Sequence, residues 1–114
     1  MTRNRAPKAP APDVQVTVSR GQVSDDTREY AARKIGHVAS YSHEPVLFAH
    51  VVLELASDPA RGRPATAEAT LDVNGTPIRA GVEAETPREA VDLLEDRLRR
   101  QLVEHEERLH PHRG

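Results

Sequence analysis

The chain of 114 residues has the length of one domain, and 37 % of its residues are aliphatic or aromatic. It contains 16 basic and 18 acidic residues, and the formal net charge of −2 argues against a highly basic coat protein and an acidic disordered tail. Cysteine is absent, which excludes disulfide frameworks, zinc–cysteine sites and thiol nucleophiles. No apolar run reaches the roughly 20 residues of a membrane span, so we expect a small cytoplasmic protein without membrane contact.

The N-terminal segment differs in composition from the rest of the chain. Residues 1–12 contain three prolines and three basic residues and show no periodic apolar face. This composition predicts a disordered, basic, Pro/Ala-rich arm. From Asp13 onward the pattern changes, and we expect a single domain over residues 13–110 with a short tail over residues 111–114.

The first predicted elements are a strand and a helix. Valines alternate with polar residues over residues 14–18, which is typical of a strand with one buried face. Ser24 stands at the position of a helix N-cap, and apolar residues at helical spacing then predict a helix over about residues 24–41. Gly36 lies inside this helix, where glycine costs up to ~1 kcal/mol relative to alanine. We therefore expect a close approach of the helix to the sheet at that position.

Three further strands are predicted in the middle of the chain. Residues 46–55 form a long run rich in β-branched residues, which predicts a central strand. Residues 65–73 alternate between small or apolar and polar side chains, and Asn74 and Gly75 then form a strong hairpin signal. The returning strand is predicted over residues 78–83.

A second helix completes the domain. Thr86 is the predicted N-cap, Pro87 occupies the first helical position and Glu89 completes a capping box; the helix should run to about His110. The order β-α-β-β-β-α predicts an α+β fold of two layers, with a four-stranded sheet and both helices on one face. The expected core is small and aliphatic. It is assigned mainly to Val14, Val16, Val18, Ala31, Ile35, Val38, Val52, Leu71, Leu94, Leu98 and Leu102.

No motif in the sequence predicts catalysis or metal binding. His105 and His110 are five residues apart, which turns their side chains by ~140° around a helix, whereas a zinc-binding pair of this kind needs a spacing of four. The glycines are isolated, so a phosphate-binding loop is not predicted, and no serine lies in a nucleophile elbow. We therefore expect a protein without enzymatic activity, metal or cofactor.

Basic residues mark the two predicted helices instead. Six of them are candidates for contacts with the phosphates of a nucleic acid: Arg33, Lys34, His37, Arg97, Arg100 and Arg108. If both helices cover one face of the sheet, their basic flanks should form a single stripe along a nucleic-acid backbone. The alternative is an ordinary solvated surface with ion pairs four residues apart, such as Asp96 with Arg100.

The sequence resembles a known family over about residues 13–109. The resemblance is carried by the strand VQVTVSR, the helix opening SDDTREY, the long second strand, the hairpin turn and the block AVDLLEDRLRRQLVEH at residues 90–105. These features are similar to the ribosome hibernation-promoting factors, also called ribosome-associated inhibitor A or sigma-54 modulation proteins. The resemblance implies a β-α-β-β-β-α domain related in shape to double-stranded RNA-binding domains.

The resemblance also implies a function. Members of this family bind the small ribosomal subunit, on its 16S rRNA, between head and body, and silence idle ribosomes under stress or in stationary phase by occupying the decoding region. For this chain the same steric function is implied, with RNA rather than DNA as the target and with rRNA contacts from basic residues of both helices. Longer members add a C-terminal dimerising domain, so the sequence corresponds either to a short form or to a piece of a longer chain.

A second hypothesis is a protein–protein interaction module of a dormancy or stress regulator. The end of the second helix contains Glu104, Glu106 and Glu107, and both helix surfaces mix charges of either sign. Such a domain keeps the fold, has weak RNA affinity and docks onto another protein. A continuous positive stripe across both helices would favour the ribosome, whereas patches of alternating sign would favour a protein partner.

Overall fold

The computed structural model describes residues 13–58, 60 and 62–109. Its elements are β1 (Val14–Arg20), α1 (Asp25–Ala39), β2 (Val46–Leu55), β3 (Ala65–Val73), β4 (Thr76–Ala84) and α2 (Pro87–Leu109). This order confirms the predicted succession of strands and helices. The predicted arm over residues 1–12 and the predicted tail over residues 111–114 lie outside the described residues.

The strands form one sheet in the order β1-β2-β3-β4. β1 and β2 are parallel, as expected for two strands joined through a helix, whereas β2, β3 and β4 pair antiparallel. α1 packs on β1 and β2, α2 packs mainly on β3 and β4, and the two helices contact each other. Both helices therefore cover the same face of the sheet, and the predicted two-layer α+β fold is confirmed.

Side-chain caps begin both helices. The Ser24 hydroxyl accepts a hydrogen bond from the Thr27 N–H at 3.2 Å, and the Thr86 hydroxyl accepts one from the Glu89 N–H at 3.1 Å. The Glu89 carboxylate accepts from the N–H of Glu85 at 3.2 Å, one residue before the cap, rather than from the cap itself. Both predicted N-caps thus satisfy backbone donors that a helix leaves free at its start.

The predicted helix ends differ slightly from the observed ones. α1 ends at Ala39, before the predicted end at residue 41, because the Tyr41 N–H bonds to the Val38 carbonyl three residues earlier at 3.0 Å and tightens the last turn. α2 reaches Leu109, and His110 lies outside the described residues. Neither helix has the combination of length and apolarity needed to cross a membrane.

The core lies between the sheet and the helices. Small residues at alternate positions of β3 face the three buried leucines of α2, Leu94, Leu98 and Leu102, so the helix packs closely on the sheet. The prediction of Val52 as a core residue is wrong: Val51 and Leu53 point to the helices, so alternation places half-buried Val52 on the open face. The β1 valines are also only half-buried and pack against the rim of the core, because β1 is an edge strand.

No close approach of α1 to the sheet requires a glycine at position 36. A Cβ atom added there would lie 3.6 Å from Cγ2 of Val14, which is an ordinary van der Waals distance. We expect Gly36→Ala to raise the free energy of unfolding by about 0.5–1 kcal/mol, because alanine restricts the unfolded chain and favours the helix. Urea denaturation measures this change.

A second glycine provides the control for this prediction. Gly75 has a φ of 96° and open space around it, so Gly75→Ala should destabilise the hairpin through backbone strain alone. A Gly36→Ala variant that is less stable than the wild type would contradict the expectation that the helix accepts alanine at this position.

Candidate nucleic-acid interface

A groove between the two helices gathers cations and aromatic rings. We call it the interhelical groove. It is formed by Tyr30, Arg33, Lys34, His37 and Tyr41 on one side and by Arg88, Asp92, Glu95 and Arg99 on the other. Its two ends are built differently.

At one end, cations surround a tyrosine ring. The guanidinium carbon of Arg88 lies 3.8 Å from the centroid of the Tyr30 ring, the Lys34 ammonium lies 5.4 Å from it, and the Arg33 guanidinium lies 5.6 Å from it. These distances permit cation–π attraction. The Tyr30 hydroxyl donates a hydrogen bond to the Asp92 carboxylate, and this bond, together with desolvation, raises the pKa of Tyr30 above its ordinary value.

At the other end, a carboxylate links the helices. Glu95 pairs with the Lys34 ammonium at 3.5 Å and with the Arg99 guanidinium at 3.6 Å. Arg99 in turn lies 5.5 Å from the Tyr41 ring centroid, and the Tyr41 hydroxyl is hydrogen-bonded to Nε2 of His37 at 3.0 Å. The groove therefore carries charges of both signs along its length rather than an unbroken positive stripe.

The other flank of α2 lies along the free edge of the sheet. Arg97 donates a hydrogen bond to the Gly81 carbonyl at 3.2 Å, and Gln101 donates one to the Arg79 carbonyl at 2.8 Å. β4 pairs only with β3, so these two carbonyls belong to its unpaired edge. Pro77, which lacks an N–H, lies on the same strand. These features protect the edge of β4 from pairing with another strand.

We expect the double variant Arg97→Ala with Gln101→Ala to self-associate. Without the two side chains, the carbonyls at the β4 edge are free to pair with a strand of a second molecule, and there is room for that strand. Sedimentation velocity at increasing protein concentration measures the change as a shift from the wild-type mass toward dimers and larger species. Arg100→Ala is the matched control, since Arg100 pairs only with Asp96 at 2.9 Å among the described residues and does not cap β4. Identical sedimentation of all three proteins would contradict the prediction.

The six predicted contact residues thus fall into two sets. Arg33, Lys34 and His37 line the interhelical groove, whereas Arg97 and Arg100 border an open cleft between α2 and β4 that also includes Arg63. The expected single stripe is divided in two, because the body of α2 lies between the sets. The last of the six, Arg108, is exposed in the final turn of α2.

The prediction from sequence missed two cations of the groove. Arg88 and Arg99 lie on the side of α2 opposite to Arg97, as the helical wheel indicates, but the wheel does not tell which side faces α1. Contact between the helices places that side in the groove, next to Tyr30 and Tyr41.

Residues at the acidic end of α2 contact the segment between α1 and β2. Glu106 accepts a hydrogen bond from the backbone N–H of His43 at 2.8 Å and contacts Nδ1 of its ring at 3.0 Å. His105 is buried, with Nε2 3.5 Å from the Glu44 carboxylate. Among the described residues, no group of three or more histidines and carboxylates is placed to hold a metal ion.

A sheet of four strands covered on one face by two helices, in the order β-α-β-β-β-α, places the chain in the two-layer α+β class. Within that class, the chain belongs to the Sigma 54 modulation protein / S30EA ribosomal protein family, whose model matches residues 14–110. The family resemblance predicted from the sequence is confirmed.

Individual relatives agree with this assignment. The chain is 29 % identical over 99 residues to the ribosome hibernation promoting factor of Escherichia coli K12, covering 87 % of this chain and 98 % of that protein. It is 32 % identical over 97 residues to the factor of the same name from Azotobacter vinelandii, covering 83 % and 85 %. The crystal structure of the Thermus thermophilus Protein Y N-terminal domain superposes with a TM-score of 0.65 at 26 % identity, covering 82 % of this chain and 99 % of that chain.

Proposed function

We propose that the chain is a ribosome hibernation factor that binds the small ribosomal subunit on its 16S rRNA, between head and body, and occludes the decoding region under stress or in stationary phase. The observation that supports this most strongly is the family match over residues 14–110, together with relatives named as ribosome hibernation promoting factors. Occupancy alone performs this function in the cytoplasm, so the proposal requires no catalysis, cofactor or metal.

The proposed rRNA contacts are the six basic residues on the helices: Arg33, Lys34, His37, Arg97, Arg100 and Arg108. Guanidinium groups bind phosphate oxygens through two parallel hydrogen bonds. Lys34 and Arg100 must first leave Glu95 and Asp96. Arg100 and Asp96 are both exposed, and an exposed ion pair contributes at most about 1 kcal/mol, whereas a hydrogen bond to a charged group contributes about 1.5–3 kcal/mol. For Arg100, the exchange of a carboxylate for a phosphate is therefore favourable.

Co-sedimentation with purified ribosomal particles tests the proposal. The chain should pellet with 30S subunits and with 70S ribosomes but not with 50S subunits alone. Prior loading of the 30S subunit with mRNA and tRNA should reduce the pelleted fraction, because these ligands occupy the proposed binding region. Equal pelleting with 50S subunits, or binding unaffected by mRNA and tRNA, would contradict the proposed site.

A specific observation favours the second candidate, a protein-binding module. The cations of the groove alternate with carboxylates, and α2 exposes three large apolar side chains, Leu93 at 45 %, Val103 at 50 % and Leu109 at 45 % of their surface. A protein partner would cover such apolar residues, and its binding would depend little on salt. Binding to rRNA should weaken steeply with added salt, because it releases counterions. The salt dependence of complex formation therefore separates the two functions.

A further inference from the structure

The end of the interhelical groove around Tyr30 concentrates positive charge in a way that the fold does not require. Three cationic groups, from Arg33, Lys34 and Arg88, lie within 5.6 Å of the centroid of one ring. The ring offsets part of their mutual repulsion through its negative faces. An anion bound between them would offset the remainder.

The carboxylates near this cluster are already engaged. Asp92 accepts the hydrogen bond of the Tyr30 hydroxyl, and Glu95 is shared between Lys34 and Arg99. Within the described part of the chain, neither Arg33 nor Arg88 has a carboxylate within ion-pair distance. Their guanidinium donors are therefore available to a ligand.

Arg88 occupies a position that helix electrostatics disfavours. It lies in the first turn of α2, where the partial positive charge of the helix N-terminus repels a cation. Its guanidinium carbon lies 3.8 Å from the centroid of the Tyr30 ring, and cation–π attraction at this distance offsets part of that repulsion. The same N-terminal partial charge adds to the attraction of an anion bound by Arg88.

We propose that Tyr30, Arg33, Lys34 and Arg88 form a binding site for a phosphodiester group of RNA. Arg88, oriented by the Tyr30 ring, binds two phosphate oxygens through parallel hydrogen bonds, and Arg33 and Lys34 neutralise the charge from the α1 side. The site rests on the proposed function and adds Arg88 to the residues that contact rRNA.

Fluorescence anisotropy with a labelled short oligouridylate tests the site directly. Arg88→Gln should weaken binding about tenfold, since a charge-assisted bidentate contact to phosphate is lost. Arg33→Gln provides a second variant on the other helix and should weaken binding in the same direction. Arg28→Gln is the matched control, because Arg28 is an exposed arginine of α1 that lies beside Gly21 and Val23, away from the groove. The control should bind within about twofold of the wild type.

The outcomes separate this site from the proposed function and from other phosphate ligands. Equal affinities of Arg88→Gln and Arg28→Gln, or no oligouridylate binding by the wild type, would overturn the site. Inorganic pyrophosphate that binds more tightly than the RNA, and displaces it, would assign the site to a free phosphate compound and overturn the RNA assignment. Pelleting of the wild type with ribosomes is a separate measurement. If the wild type does not pellet, the hibernation function is wrong, and the oligouridylate affinities still decide whether this site binds RNA.

Discussion

Replacing Arg97 and Arg100 by glutamate should abolish co-sedimentation with 30S subunits, with a loss of affinity of at least about 100-fold. The two guanidiniums are three residues apart on α2 and border one cleft. A hydrogen bond to a charged group contributes about 1.5–3 kcal/mol, so the loss of two such contacts exceeds two factors of ten. The slope of log affinity against log salt should also become shallower by roughly 1.4–1.8.

The charge reversal at Arg97 needs a control for its effect on the sheet edge. Because Arg97 holds the Gly81 carbonyl at the β4 edge, its charge reversal also changes the sheet edge. Arg97→Gln with Arg100→Gln keeps a side-chain donor for that carbonyl and should still lose most of the affinity. Arg28→Glu with Arg79→Glu reverses the same amount of charge at side chains that do not line the cleft of Arg97 and Arg100, and it should pellet like the wild type. Unchanged pelleting of Arg97→Glu with Arg100→Glu would contradict the assignment and favour the protein partner.

Gly21→Ala should lower the free energy of unfolding by on the order of 3 kcal/mol, a large part of the 5–15 kcal/mol of a typical domain. Gly21 turns the chain after β1 with a φ of 79°, in the left-handed region that side chains rarely adopt. An added Cβ would overlap the carbonyl oxygen of Leu55 at the end of β2. This oxygen belongs to the backbone, so no side-chain rotation relieves the overlap.

Urea denaturation with Gly62→Ala as the control measures this effect. Gly62 lies in the loop before β3 with nothing within 4 Å of an added Cβ and without a positive φ. The control should remain within about 0.5 kcal/mol of the wild type. Equal stability of the two alanine variants would show that the chain relaxes around position 21, contrary to the expected backbone overlap.

Local signals in the sequence were sufficient for most of the fold. Ser24 and Thr86 cap the helices as predicted, since a hydroxyl at that position bonds to the free N–H groups of the first turn whatever the rest of the chain does. Asn74 and Gly75 both adopt positive φ, as a two-residue hairpin turn requires. These features depend on residues close together in the chain, and so does the family resemblance around residues 90–105.

Features that depend on distant partners were missed or misplaced. The run over residues 46–55 is apolar on both sides, so its pattern did not tell which face is buried; packing against the helices buries Val51 and leaves Val52 on the open face. The helical wheel of α2 separated Arg88 and Arg99 from Arg97 but did not orient either flank.

The sequence by itself therefore determined the elements, their order, the family and the six basic candidates, because alternation, capping and turn chemistry are local. Only the tertiary structure decided which cations share a surface. Contact between α1 and α2 places Arg88 next to the Tyr30 ring. The position of β4 at the sheet edge leaves the Gly81 carbonyl free to accept a hydrogen bond from Arg97. Both results follow from how whole elements pack, and residues far apart in the chain meet only when the core between the sheet and the helices forms.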